Sequence, residues 1–359
     1  MLVLGIESSC DETSAALFDG SRLVHRATTQ EVHRAWGGVV PELASRDHER
    51  LIIGIIQEVT TSWGADIRDV EGVAATAGPG LVGALLVGLN VGKGIAMGLD
   101  VPFLAVNHLE GHLWVHQLKD VIQDSSVAGC PHPEVRGRSA SFEPPFLSLV
   151  VSGGHTELVR VDDFGEYAIL GRTRDDAAGE ALDKIGVLFG LDFPAGPEID
   201  RLSKVSDRGA FDFPRGMMHD GLDFSFSGLK TAVRVHLEQD REGVFSRRDD
   251  VLNSVQEAVM EVLVAKIARA VGETGVSQVS VSGGVAANSR LRELAEFRAK
   301  RDGFTVLFPD RAFCTDNAAM IAWVGRRRLT AGERSGLDAP AQPGWRLESL
   351  SPPAFFGVR

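Results

Sequence analysis

His108 and His112, in Asn107-His108-Leu109-Glu110-Gly111-His112, stand four residues apart. On a helix that spacing sets both imidazoles on one face about 6 Å apart, which is the bite of a divalent metal. The polar edge of a packed helix face shows the same spacing, so the pair alone leaves both readings open. It is not a peptidase signature. Glu110 lies two positions from His108, about 200° round the helix, where it cannot be the water-activating base of an H-E-x-x-H site. His116 continues the four-residue step, but each step drifts about 40° and the helix is ending, so it reads as a surface residue. A carboxylate would complete the set. Asp316, in Cys314-Thr315-Asp316-Asn317, follows a strand and opens a helix. Asp and Thr are ordinary capping residues there; joined to two imidazoles, Asp316 makes a two-histidine, one-carboxylate set with open positions, suited to Fe(II) or Zn.

Two glycine turns share one design. Ser152-Gly153-Gly154 and Ser282-Gly283-Gly284 each end an apolar run, exposing backbone N–H groups and letting a ligand approach closely. Either could be a plain tight turn. The pair, with Gly78-Pro79-Gly80 as a third, points to a phosphate or nucleotide cradle. Asp175 to Lys184 is an acidic segment entering a helix, where acids suit the positive helix end.

The elements that must position these residues follow from apolar periodicity. Leu2–Ile6 reads as a strand, followed by a polar turn over residues 7–14 and a second strand from Ala15. Phe146–Val151, the Ser152–Thr156 turn and a returning strand over Glu157–Val161 repeat that plan, which predicts a duplicated architecture without sequence repeats. Pro41–Trp63 has helical spacing, Gly72–Thr76 reads as a buried strand, and Leu81 onward as a glycine-spotted helix. Phe103–Val106 delivers the chain directly into His108, at a strand's C-terminal end, where open α/β sheets place ligands. Leu252–Ala270 predicts an amphipathic helix, Val279–Val281 and Thr305–Phe308 strands, Ser289 a helix start, and Asp316 to about Arg328 the last helix.

Bulk composition narrows the class. A chain of 359 residues exceeds the usual size of a single core, which predicts two lobes. These are expected at residues 1–118 with 317–359 and at 146–316, joined by a connection over 119–145 that is rich in Ser, Pro, Gly and charge. The apolar run Leu81–Leu99 holds five glycines, Asn90 and Lys93, too interrupted for a membrane span, and no signal peptide is evident. Cys10, Cys130 and Cys314 form no C-x-x-C pair, consistent with a reducing cytoplasm. A net charge of −12 argues against nucleic-acid binding by this chain alone. The local clusters Arg290, Arg292, Arg298, Lys300, Arg301 and Arg326–Arg328 read equally as solvated helix faces.

Taken in order, these segments closely resemble the TsaD family, the tRNA N(6)-adenosine threonylcarbamoyltransferases. The resemblance runs from Leu4 to about Val324. It rests on Gly5-Ile6-Glu7-Ser8-Ser9-Cys10-Asp11-Glu12-Thr13, Pro41–Arg46, Gly78–Leu81, the His108 segment, Val151–Thr156, Asp175–Lys184, Phe224–Lys230, the Ser282 turn and Thr315-Asp316-Asn317. It implies the two-lobed α/β fold of actin-like and sugar-kinase ATPases, which is ribonuclease H-like, with the ligand in the inter-lobe cleft. It implies that His108, His112 and Asp316 hold one divalent metal, Fe(II) ahead of Zn. Val150, Val151, Ser152, Gly153, Gly154, Asp183, Gly196, Asp200 and Asn288 would contact a nucleotide, either threonylcarbamoyladenylate or ATP/AMP, and Asp11 and Glu12 would lie near the reacting centre. The implied reaction transfers threonylcarbamoyl from L-threonylcarbamoyladenylate to the N(6) amine of adenosine 37 in tRNAs reading codons that begin with A. The implied partners are tRNA, a dimerising TsaB-like paralogue lacking the metal site, and a small TsaE-like ATPase. Three departures stand out: Ala195-Gly196-Pro197 replaces the usual Gly-Gly-Pro, the 119–145 connection is long, and the tail after Arg328 carries no usable signal. A small-molecule kinase of the same fold is the alternative, but it leaves the histidine pair without a role. A non-catalytic scaffold would not need the metal set.

Overall fold

The N-terminal apolar run becomes β1 (Val3–Glu7), buried at every residue. In this computed structural model, which describes residues 1–120 and 142–353, β1 is the central strand of a five-stranded sheet. It pairs antiparallel with β2 (Glu12–Phe18), and β2 antiparallel with β3 (Leu23–Thr29). α1 (Pro41–Trp63) starts on a proline suited to the first helical turn and stops at the left-handed Gly64. It leads to β4 (Gly72–Gly78), parallel to β1; α2 (Val82–Leu99) then leads to β5 (Phe103–Asn107), parallel to β4. Parallel neighbours need such crossovers. α3 (His108–Trp114) follows β5 with no intervening loop.

The second sheet retraces this path. β6 (Phe146–Val151) pairs antiparallel with β7 (Thr156–Asp163), and β7 with β8 (Glu166–Arg172). A helical excursion follows: α4 (Ala178–Leu188), α5 (Gly196–Leu202), α6 (Ser227–Gln239), α7 (Arg241–Ser246) and α8 (Arg248–Thr274). β9 (Gln278–Ser282), α9 (Ser289–Asp302), β10 (Thr305–Leu307) and α10 (Ala318–Thr330) complete the strands and α-helices among the described residues. The sheet orders are β3-β2-β1-β4-β5 and β10-β9-β6-β7-β8, the same topology twice, as the repeated strand-turn-strand plan predicts.

α10 returns to the first sheet and packs on β1, β2 and β4. It also touches α3, where a Cβ on Gly111 would stand 2.8 Å from Met320 Cγ, so only glycine lets the two helices come this close. That contact joins the histidine pair to the segment that carries Asp316.

Several boundaries differ from expectation. β2 begins at Glu12 because its ladder reaches Thr29 of β3, so Glu12 is a strand residue and not part of the turn. The last helix begins at Ala318, since Asn317 accepts from Met320 N and takes the capping role, which frees Asp316. His116 is buried and not on the surface: the 3-10 turn after α3 sets it among Trp114, Phe142 and Phe146. α2 is long and apolar enough to pass as a span by length and composition, yet Leu85, Leu89 and Ala96 are buried within the fold. The tail is ordered along the first sheet, with Gln342 N donating to Ala77 O at 2.6 Å and Gly80 N to Pro343 O at 3.2 Å. Most of the 119–145 connection, with Cys130, lies outside the described residues.

Burial lowers His25 and His116 from 6.5 to about 4. Between those pH values only the unfolded chain binds the proton. Stability is therefore full above pH 6.5 and falls as pH drops toward 4, by up to about 3 kcal/mol per ring. Urea unfolding at stepped pH checks this, and His116→Phe should flatten part of the slope.

Candidate active site between the two sheets

Asn107 ends β5 and caps α3, accepting from Leu109 N at 2.9 Å and Glu110 N at 3.2 Å. The cap starts the helix at His108 itself, so both imidazoles project from its first turns. Their ring centroids lie 4.8 Å apart at 85°. Asp316 Oδ1 lies 3.0 Å from His112 Nε2 and 3.4 Å from His108 Nε2. The ligand atoms of the three residues all fall within 4.8 Å of one another.

The donor set suits a cation. Glu7, the last residue of β1, is fully buried and lies 2.9 Å from His108 Nδ1, and Thr76 Oγ1 donates to it at 2.6 Å. A carboxylate accepts only, so His108 carries its hydrogen on Nδ1 and turns Nε2 toward Asp316. Two acceptors that close need either a metal ion or a second proton between them. For the metal-free protein, burial opposes charge on His108, but Asp316 and Glu7 outweigh it and hold the ring well above its usual range. Burial likewise opposes ionisation of Asp316, and His108 outweighs it, pushing the carboxyl well down. Burial pushes His112 below its ordinary range, against the pull of Asp316. Such a site exchanges a proton for a metal.

The second sheet reaches this set through the turn after β6. His155 brings its ring centroid to 6.3 Å from that of His108, and burial lowers it to about 4. Val150 and Val151 are buried in β6, which runs parallel to β9 with Val150 opposite Ser282. The two Ser-Gly-Gly turns thus sit side by side at parallel strand ends. Gly283, at φ +92°, fits because a Cβ there would meet Val151 O at 2.3 Å. Within the first turn, Ser152 Oγ accepts from Gly154 N at 3.3 Å and His155 N at 3.1 Å, and Ser152 N donates to His155 O at 2.8 Å. Of the three amides expected to face a ligand, only that of Gly153 has no partner among the described residues.

Farther along the cleft, Asp183 Oδ1 accepts from Ala195 N at 2.8 Å and Gly196 N at 3.1 Å. Asp200 Oδ1 accepts from Ser289 Oγ at 2.7 Å and Ser289 N at 3.1 Å. Asn288 caps α9 and donates to Gln256 Oε1 at 2.7 Å, so both ends of its side chain already have partners. A cavity of about 420 Å³, lined by Asp200, Ser203, Asn253, Gln256, Ser289 and Arg290 among others, opens there and falls within the usual size of a small-ligand site.

A family model for tRNA N6-adenosine threonylcarbamoyltransferase (TsaD) matches residues 22–323. A protein of that name from Salinibacter ruber is 48% identical over 97% of this chain and 100% of its own length, and one from Ralstonia pickettii 46% identical over 98% and 99%. The chain belongs to the TsaD family. It is an enzyme of the transferase class that this family name describes. Full-length HypF superposes with a TM-score of 0.58 at 12% identity, over 93% of this chain and 47% of HypF. The fold is the two-lobed actin-like one.

In this TsaD-family fold Asp11 and Glu12, at the turn into β2, lie close enough to the triad for the charge of Asp316 to act on Glu12. Burial raises the Glu12 carboxyl well above its usual range, and the charges of Asp11, Asp316 and Glu7 add to the effect. Burial also raises Asp183, with a contribution from Asp11. The structure thus brings together the triad and the His155 end of the Ser152 turn, couples Glu12 to Asp316 and Asp183 to Asp11 electrostatically, and engages Gly196, Asp200 and Asn288 in the hydrogen bonds given above. Sequence reasoning missed Glu7 and His155 as site residues. A glutamate ending an otherwise apolar strand was the available signal for the first.

His108→Ala and Asp316→Ala should each lose bound divalent metal from the purified protein while keeping wild-type circular dichroism, and Glu7→Gln should weaken binding about 10–100-fold. Elemental analysis after dialysis against graded chelator checks all three.

Proposed function

We propose that the chain transfers threonylcarbamoyl from L-threonylcarbamoyladenylate to the N(6) amine of adenosine 37 in tRNAs reading codons that begin with A. The observation that carries this reading is the convergence of His108, His112 and Asp316 on the first sheet with the Ser152–His155 turn on the second. A group held by that turn lies against the triad. The adenylate would run from there toward Asp183, Gly196, Asp200 and Asn288, with the acids meeting ribose hydroxyls.

The amine nitrogen attacks the carbamoyl carbon, the bond from that carbon to the phosphate oxygen breaks, and AMP leaves with the electron pair. No protein nucleophile is required, because the donor is already activated. A divalent metal on His108, His112 and Asp316, Fe(II) ahead of Zn, would supply Lewis-acid charge to the carbamoyl or phosphate oxygens. The Gly153 amide is free to stabilise negative charge developing on the donor. Asp11 or Glu12 accepts the amine proton. Burial and acidic neighbours raise the Glu12 carboxyl, which makes its carboxylate a stronger proton acceptor than an ordinary one.

The lobes divide in this reading as residues 1–118 with 317–359 and residues 146–316, in a cytoplasmic protein that works in an assembly. With a net charge of −12, the chain holds tRNA with help from basic surface on a TsaB-like paralogue and a TsaE-like ATPase. Exposed Ile53, Val82, Leu86 and Met97 on α1 and α2 are the surface assigned to the paralogue.

Incubation with such partners, an enzyme that makes the adenylate, unmodified tRNA, threonine, bicarbonate and ATP should yield N(6)-threonylcarbamoyladenosine, read by mass spectrometry of digested nucleosides. Absence of the product where a relative succeeds would sink the assignment. Asp11→Asn or Glu12→Gln should slow transfer by about 10²–10⁴-fold; two variants at the normal rate across pH would reject the proton-acceptor role.

A further inference from the structure

Glu110, excluded as a general base, lies between His108 and His112 on α3 and is buried. Both its oxygens are engaged. Arg328 donates from Nε to Oε2 at 2.9 Å and from Nη2 to Oε1 at 2.6 Å, and the Tyr167 hydroxyl donates to Oε1 at 2.6 Å. Arg328 is itself buried on α10 and gives its remaining arm, Nη1, to Glu333 at 2.7 Å and Ser351 O at 3.3 Å. Tyr167, on β8 of the second sheet, accepts from Trp114 Nε1 and Gly165 N, both at 2.9 Å.

The same two helices therefore meet twice. On one side α3 presents His108 and His112 to Asp316, just ahead of α10. About 200° round the helix from His108, Glu110 grips Arg328 of α10. A two-bond guanidinium–carboxylate pair has one preferred geometry, and α3 has only seven residues with which to hold its own setting. Ligand constellations tolerate angular errors of only about 10–20°. We infer that Glu110 is a positioning residue: acting through Arg328 and Tyr167, it sets the rotation of α3 against α10 and so aligns His108 and His112 with Asp316. The inference rests, for its functional meaning, on the triad being a metal site.

A merely structural role predicts a different result when the polar group is exchanged for an apolar one. Buried ion pairs replaced by apolar side chains of similar volume commonly keep their stability, so Glu110→Met/Arg328→Leu, with Tyr167 kept as the acceptor for Trp114 Nε1 and Gly165 N, should unfold near the wild-type midpoint while losing the grip. Cobalt(II) titration of the full chain, read by its visible absorption band, should then show at least about tenfold weaker binding and an altered band. A crystal structure of the variant should show His112 displaced from Asp316. Wild-type affinity with a wild-type band would overturn the inference. If the unmodified protein takes up no cobalt, the metal reading fails and the crystal structure alone decides. Histidines unmoved against Glu7 and Asp316 overturn the positioning role, and displaced ones support it. Should the double variant not fold, Glu110→Gln answers by the same two readouts.

Discussion

A carboxylate withdrawn from water needs positive charge or hydrogen-bond donors beside it, and this cleft draws Glu7, Glu12 and Asp316 inward around two imidazoles. Glu7 and Asp316 face His108 from opposite sides, and burial of the ring is outweighed by their combined charge. Glu12 has no such partner, so burial and its acidic neighbours raise it instead. One constraint thus separates the acids into two kinds: two lowered by an imidazole beside them, where a cation fits, and one raised by burial among other acids.

The duplicated topology explains how these side chains arrive at one place. In each sheet the central strand is followed by an antiparallel hairpin on one side and flanked by parallel strands on the other. Glu7 ends β1 and His108 follows β5 in the first; Ser152 follows β6 and Ser282 ends β9 in the second. All four belong to the carboxyl ends of parallel strands, where backbone groups and helix starts are left free for ligands. His155 closes the gap from the second sheet to the triad. Tyr167 makes a second junction behind α3, so both faces of that short helix touch groups from beyond its own sheet.

Much of this was legible from residue pattern. The histidine spacing, the strand leading into it, the two Ser-Gly-Gly turns and the repeated strand-turn-strand plan depend on local periodicity, which survives without knowledge of neighbours. Glu7 was not legible as a site residue, because nothing local says which residue will face the end of a strand. His116 was misplaced for a related reason: helical drift assigns it to the surface only if nothing covers the following turn, and Phe142 and Phe146 do. The capping role went to Asn317 and not to Asp316, a choice between adjacent residues with similar preferences that only the helix's docking resolves. Asn288 and the Ser152 amides were read as ligand groups, and several of their bonds turn out to be internal.

The sequence by itself determined the His108–His112 spacing, the repeated strand-turn-strand plan and the place of the glycine turns, since each follows from local pattern; that Asp316, 204 residues from His112, meets the pair was decided by the packing of the segment ahead of α10. Tertiary structure decided what surrounds them. It placed Glu7 behind His108, Glu12 within reach of the charge of Asp316, and Glu110 in the grip of Arg328, which is 218 residues away in the chain. Proton affinity and ligand angle depend on burial and on charges brought from distant segments, and those exist only once the sheets have packed.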